Sequence, residues 1–354
     1  MTSAERKEAR YQRRRDKRNA KINRRCELFS SINNAFRFGK VMYYADKACN
    51  GVRWKKSTMS FMLHEFTIIA NTCYNIKNHC YKVGKTYKFK INERGKVRDI
   101  DAPHINDRLV HKVLCNEIIV PIYYSHLIYD NGASVNNKGF IFAINRVKSK
   151  LRKYSKIYGN DLYIILIDFS SFFQNCSHSV IHNIHKKYIK DEYTIKVIED
   201  YLFISDEGIA LGIEIAQREA SMIPNVLDHY LENNSLFVER YMDDTVCLVS
   251  SYDNALNLLN NYKLMCKEYG IVINENKTKI IDNGDFVYCK WKYIVGNKIK
   301  IIPVKKTLYR QRRTLRRMIK NNIDYSLSLN SYIAYLNIGD IYKSIMYLEN
   351  MCNL

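Results

Sequence analysis

The chain has 354 residues, with 57 Lys and Arg against 35 Asp and Glu, a formal net charge of +22. That length allows about two to three compact units, and 47% apolar residues suffice for a sizeable core. No apolar run approaches the roughly 18 residues of a membrane span, and the basic first 25 residues lack the apolar stretch of a secretory signal.

A basic excess of this size implies a polyanionic partner, most often nucleic acid; a ribosome-associated or merely soluble basic protein is the bland alternative. The ten cysteines form no CxxC pair, which fits reduced thiols in a cytoplasmic protein better than a disulfide frame or a zinc site. Residues 1–25 carry eleven Lys and Arg against three acids. They read as an exposed basic arm over residues 1–28, helical when bound, that contacts a nucleic-acid backbone. A solvated tail is the competing reading.

Phe61 to Tyr74 has helical spacing. Lys85 to Ile91 alternates as a strand does, and Glu93-Arg94-Gly95-Lys96 turns it back into Val97 to Ile100. Leu109 to Ile122 is a helix ended near Pro121, and Lys138 to Tyr154 is a helix with a basic face. Leu162 to Ile167 is a continuous apolar run that stops on Asp168, as in a strand covered on both faces. Helical patterns follow over Ser179–Tyr201 and Gln217–Leu231. Phe237 to Val249 reads as two strands turning at Met242-Asp243-Asp244. A helix over Tyr252–Gly270, a short strand near Ile271 and strands from Phe286 to Ile302 complete an α+β unit with helices on one face of a sheet. The last 50 or so residues are helical. Lys306, Arg310, Arg313 and Arg317 form one stripe there, and Leu308, Leu315 and Ile319 another. The basic stripe suits a phosphate backbone; a solvated helix face is the alternative.

Three carboxylates carry the chemistry: Asp168 at a strand end, and Asp243 with Asp244 at a hairpin tip. Clustered carboxylates repel one another, so such a group usually holds a divalent cation. An Asp-Asp pair alone usually marks a surface turn, but this one lies between apolar strands.

Tyr241-Met242-Asp243-Asp244 resembles the catalytic box of reverse transcriptases, and Arg240 before it is common in bacterial members. The family's other motifs appear in order. Asp168-Phe169-Ser170-Ser171-Phe172-Phe173 resembles the first aspartate box. Gly208-Ile209-Ala210-Leu211-Gly212 with Gln217 is similar to the template- and nucleotide-contacting box. Asn274-Glu275-Asn276-Lys277-Thr278 resembles the box whose lysine faces the triphosphate, and Phe286 to Tyr293 the primer-grip hairpin. Lys96-Val97-Arg98 with Asp107-Arg108 resembles the finger motif that holds incoming triphosphate.

The resemblance implies an α+β right-hand polymerase: fingers over 29–155, palm over 156–302, and a helical thumb over 303–354. It implies an RNA-directed DNA polymerase that extends a primer with dNTPs through two Mg²⁺ ions, with Mn²⁺ as substitute. Asp168, Asp243, Asp244 and the Phe169 backbone carbonyl would be the metal ligands, and Lys277 would neutralise or protonate pyrophosphate. Lys96, Arg98, Phe173, Gly212 and Gln217 would contact the nucleotide, with Phe173 as steric gate against a 2′-hydroxyl and Phe172 as core. Tyr241, Met242, Lys306, Arg310, Arg313 and Arg317 would contact nucleic acid. Asp107 and Arg108 read as a structural pair.

Implied partners are an RNA template, a DNA or RNA primer and a dedicated non-coding RNA, with no membrane. The resemblance is to retron-like and group-II-intron-like enzymes, among which host defence against phage is one role. Two departures stand out. Ile213-Glu214-Ile215-Ala216 replaces small polar residues, and Gln174 stands where many bacterial relatives have an acid. Glu214 needs a cationic partner in a nucleic-acid groove, and Arg218 four residues on is the nearest in sequence. These departures motivate two other readings: a polymerase that works without a nucleic-acid template or by protein priming, and an RNA-binding scaffold without chemistry.

Overall fold

In the computed structural model, which describes residues 2–351 apart from 94, 206 and 297 (with backbone alone at 4, 93 and 96), the chain forms two compact units. The first comprises residues 1–128, 171–226 and 266–272. A hairpin pairs β1 (Tyr87–Glu93) with β2 (Lys96–Ala102) antiparallel, Glu93 opposite Lys96. Gly95 supplies the positive φ of +85° that so tight a reversal requires. Arg94, read as part of the turn, lies outside the described residues.

Helices build the rest of this unit, and three of their boundaries differ from the periodicity. The stretch 61–74 falls in two helices, Lys56–Leu63 and Glu65–Lys77, with a break at His64. The helix read from Leu109 begins earlier, as Ile105–Leu114, and runs on through a π-wound turn, Cys115–Ile119, into Val120–Tyr123. Pro121 therefore does not end it: the wide turn, with Val120 N–H on the Cys115 carbonyl, accommodates a residue that has no N–H to give. Ser179–Tyr201 is two helices, His178–Tyr188 and Glu192–Leu202, and the Asp191 side chain caps the second by accepting from Tyr193 N–H.

The second unit comprises residues 129–170, 227–265 and 273–354. Its main sheet has the order β4-β5-β3-β6, all antiparallel: β3 (Tyr163–Asp168), β4 (Phe237–Tyr241), β5 (Asp244–Val249) and β6 (Lys279–Asp282). Ile164, Ile165 and Ile167 of the central β3 are buried, as a strand covered on both faces requires. A second sheet, β7 (Phe286–Tyr288), β8 (Trp291–Ile294) and β9 (Lys300–Pro303), shares one core with it, built around Trp291, Tyr293 and the helix Phe140–Tyr158. Among the described residues, no strand forms near Ile271, where an isolated bridge joins Ile273 to Phe169. The helical read over 217–231 likewise splits, into Glu214–Met222 and Asn225–Asn234, around Pro224.

The final helices are Lys305–Lys320, Ser326–Leu336 and Tyr342–Met351. Leu315 is buried against Leu329, Leu336 and Leu348, with Leu308 and Ile319 beside it, while Lys306, Arg310, Arg313 and Arg317 are all exposed. Among the described residues, no helix is long and apolar enough to cross a membrane, and every described cysteine is a free thiol.

Candidate active site

Strand register assembles the carboxylates. Asp168, the last residue of β3, is the cross-strand partner of Asp244, the first residue of β5. Tyr241 pairs with Asp244, so Met242 and Asp243 form a two-residue turn at the same end of the sheet. Met242 adopts φ +58°, a left-handed conformation that costs a side-chain-bearing residue roughly 1–2 kcal/mol. Two contacts brace this turn: Phe169 N–H donates to the Asp243 carbonyl at 3.3 Å, and Arg240 Nη1 donates to the Met242 carbonyl at 3.4 Å.

Arg240 is itself fully buried. Its guanidinium is paired with buried Asp228, donates to Tyr262 Oη at 3.0 Å and lies 4.8 Å over the Phe169 ring. Burial works against its charge, and Asp228 with Tyr262 outweighs it, so its pKa is raised. Its backbone is held as well: Arg240 N–H donates to the Asp130 carbonyl at 3.0 Å, and Gly132 N–H to the Arg240 carbonyl at 2.9 Å. The neighbouring Glu239 is buried and accepts from Tyr288 Oη. Burial pushes its carboxyl from an ordinary 4.5 up to about 8.

Electrostatically the turn is short of positive charge. Asp168 is buried, and its carboxylate accepts from Lys277 Nζ at 2.7 and 2.9 Å. The Thr278 hydroxyl accepts from Asp168 N–H at 3.3 Å, and the Asp168 carbonyl from Asn274 N–H at 2.8 Å. Burial, with Asp243 and Asp168 alongside, pushes the Asp244 carboxyl up to about 7. The pairing with Asp168 raises the Lys277 ammonium in turn. Asp168, Asp244, Asn276 and Lys277 border a cavity of about 450 Å³ whose far wall includes Tyr288 and Lys292. Among the described residues, no three His, Cys, Asp or Glu side chains are grouped so as to hold a metal ion; the cation facing Asp168 is the lysine. An all-oxygen donor set whose carboxyl is held near 7 by burial and by two neighbouring carboxylates is chemistry that suits a hard divalent ion.

The nucleotide-contacting candidates lie in the first unit. Phe172 is buried, whereas Phe173 is only half-buried, its ring edge-on to Phe172 at 5.8 Å. The Phe173 carbonyl accepts from Ile209 N–H at 2.8 Å. Gly208, at φ +69°, sits so close that an added Cβ would stand 2.5 Å from that same carbonyl oxygen. At the other end of the loop, the Leu211 carbonyl accepts from Asp101 N–H of β2 at 2.8 Å. Gly212, at φ +111°, would put a Cβ 2.8 Å from the Asp101 carbonyl. The loop 208–212 thus ties the aromatic turn to the hairpin that carries Arg98. Arg98, Gly212 and Gln217 are exposed; the Lys96 side chain lies outside the described residues.

Glu214 has the expected partner Arg218, at 3.7 Å, and a closer one in Lys112 at 2.7 Å; Arg218 also donates to Tyr124 Oη. Asp107 and Arg108 turn to different partners. Asp107 accepts from Tyr81 and Tyr201 hydroxyls at 2.8 Å and from Gly84 N–H at 3.2 Å, and Arg108 donates to the Asn50 carbonyl at 3.0 Å. Of the nucleic-acid candidates, Tyr241 is half-buried, edge-on to Phe140 at 6.1 Å. Arg240 and Thr278 fall inside the quoted motifs without a role of their own, and Asp228 lies outside them all. A buried arginine beside an acidic turn is visible only once the fold brings Asp228 to it.

Residues 85–293 match the family described as Reverse transcriptase (RNA-dependent DNA polymerase). No curated protein matches the chain. Among solved structures it is similar to apo telomerase from Candida tropicalis truncated from its C-terminal domain, at TM-score 0.47 and 11% identity, covering 62% of this chain and 55% of that one. Apo telomerase from Candida tropicalis gives 0.46 and 11%, with 64% and 48% covered. Telomerase from Candida albicans in complex with a TWJ fragment of telomeric RNA gives 0.47 and 11%, with 72% and 55% covered. This chain spans about half the length of those telomerase chains.

Proposed function

Because the chain belongs to the reverse transcriptase family, a family of mixed α/β right-hand polymerases, we propose that it extends a primer 3′-hydroxyl with dNTPs along an RNA template, releasing pyrophosphate. The observation that carries this reading is the strand register that sets Asp168 against Asp244, with Asp243 in the adjoining turn. Residues 156–302 would be the palm, 29–155 the fingers and 303–354 the thumb.

Asp168, Asp243 and Asp244, with the Phe169 carbonyl, would hold two Mg²⁺ ions, or Mn²⁺ in their place. When bound, such ions make the 3′-hydroxyl a better nucleophile and shield charge on the leaving group. The chain's own residues do the rest. Lys277, which donates to the Asp168 carboxylate, would turn its ammonium to the triphosphate and neutralise or protonate the departing pyrophosphate. Arg98 grips phosphate oxygens through its fork, with Lys96 alongside. Phe173, held by the Gly208–Gly212 loop, closes the space a 2′-hydroxyl would need, and Gly212 and Gln217 line the nucleotide and template. Met242 and Tyr241 meet the primer end, while Lys306, Arg310, Arg313 and Arg317 follow the duplex backbone. Free thiols fit work in a reducing cytoplasm.

The test is product sequencing after incubation with dNTPs and Mg²⁺, with and without a supplied RNA and annealed primer. DNA complementary to the RNA is the expected product. The same product sequence without RNA would replace this reading with untemplated or protein-primed synthesis. RNA binding without any incorporation would leave a scaffold.

A further inference from the structure

The first helix, Ser3–Phe29, is 27 residues long, which at 1.5 Å per residue makes a rod of about 40 Å. Its start is firmly capped: Thr2 Oγ1 accepts from Glu5 N–H at 3.2 Å, and Thr2 N–H donates to Glu5 Oε2 at 2.8 Å. Its far end is anchored through buried Cys26, whose sulfur lies 3.8 Å from His126 Nε2. Between these ends, residues 10–21 are exposed on every face. A helical stretch that is polar and exposed on every face needs another reason to exist.

The charges on this rod are sorted. At about 100° per residue, Arg6, Arg10, Arg13, Lys17, Lys21 and Arg24 fall within an arc of about 80°, and Lys7, Arg14, Arg18 and Arg25 extend it on one side. The acids Glu5, Glu8, Asp16 and Glu27 all fall on the opposite half, where Arg15 is the one basic residue. Acids stand three or four positions from a base only as Arg13–Asp16 and Arg24–Glu27, three apart, whereas basic residues repeatedly stand four apart: Arg6–Arg10–Arg14–Arg18, and Arg13–Lys17–Lys21–Arg25. Each such like-charged pair destabilises the helix by roughly 0.2–0.5 kcal/mol. The ridge is thus built at a cost that a polyanion lying along it removes.

We infer that this ridge docks along the phosphate rows of a double-stranded RNA stem, without regard to sequence. A rigid rod with charges in line matches a regular duplex. Single strands are held by aromatic platforms, and Tyr11, the one aromatic residue before Phe29, lies off the basic arc. Membrane-surface helices need an apolar face opposite the basic one; here that side carries Glu5, Glu8, Gln12, Asp16, Asn19 and Asn23. The choice of RNA over DNA rests on the RNA-dependent reading above; the ridge itself does not. These residues lie outside the matched segment 85–293, so the contact adds to the polymerase core.

The test is equilibrium binding of the full chain to a labelled RNA duplex between about 50 and 200 mM salt, without dNTPs, so that an inactive polymerase would leave it intact. One variant carries Arg10→Gln, Arg13→Gln, Lys17→Gln and Lys21→Gln. A second, Gln12→Glu, Arg15→Gln, Asn19→Glu and Asn23→Glu, lowers net charge equally on the opposite face, and circular dichroism confirms that both keep the helix. The ridge variant is expected to bind at least tenfold more weakly, with a salt slope lower by about 3–4. The opposite-face variant should stay within about threefold of the parent, at an unchanged slope. Equal losses in both variants, or none in the ridge variant, would overturn the inference. So would equal losses on single-stranded RNA or duplex DNA, or a loss seen only on phosphatidylserine vesicles.

Discussion

The loop Gly208–Gly212 and the turn Met242–Asp243 each hold a backbone conformation uncommon for ordinary residues, yet by different means. The loop is built from main chain. Its glycines take φ +69° and +111°, and two backbone hydrogen bonds of 2.8 Å tie it to Phe173 and Asp101. The turn is built from charge. Met242 is held at φ +58° beside a buried arginine whose partner is a buried aspartate, and the neighbouring Asp168 is matched by Lys277. A backbone-built loop tolerates changes in the side chains around it and fails when a Cβ is added. A charge-built turn tolerates changes of shape and fails when one charge is left alone.

Two substitutions separate the two designs. Asp228→Ala strands the Arg240 guanidinium in a dry site and should cost about 3–5 kcal/mol, read as a large fall in melting temperature. A small shift would mean that the pair does not hold the turn. Gly208→Ala should cost about 1–3 kcal/mol through strain and crowding, with its kinetic effect in the apparent KM for dNTP rather than in RNA affinity. Unaltered nucleotide kinetics would remove the loop from the nucleotide site.

The smallest effect concerns Glu239. Its carboxyl titrates near 8 in the fold and near 4.5 in the unfolded chain. The folded state therefore holds a proton that the unfolded state releases, and stability falls as pH rises from about 4.5 through about 8. Glu239→Gln should flatten stability across that window, which melting curves at several pH values will show. A slope identical to the parent's would assign it to other groups.

Legibility in the sequence followed the same division. Asp168 was readable because an apolar run ends on it, and Asp243–Asp244 because they interrupt two apolar strands. Gly208 and Gly212 were readable as glycines, and the positive φ they now show explains why. By contrast, β6 (Lys279–Asp282) was missed because an edge strand of four residues, two of them charged and exposed, carries no apolar pattern. Helix breaks at 189–191 and at Pro224 were smoothed over because apolar spacing continues across them. Partners distant in sequence were invisible: Lys112 for Glu214, Asp228 for Arg240, and the tyrosines around Asp107. Such pairings depend on tertiary placement, which local periodicity does not encode.

The most direct measurement is primer extension on an RNA template by the parent, Asp243→Asn and Phe173→Ala, each with dNTPs and with rNTPs. The account predicts that Asp243→Asn incorporates neither. Phe173→Ala should keep dNTP incorporation and admit rNTPs at least about tenfold better than the parent. Extension by Asp243→Asn at the parent's rate, or undiminished sugar selection in Phe173→Ala, would contradict it.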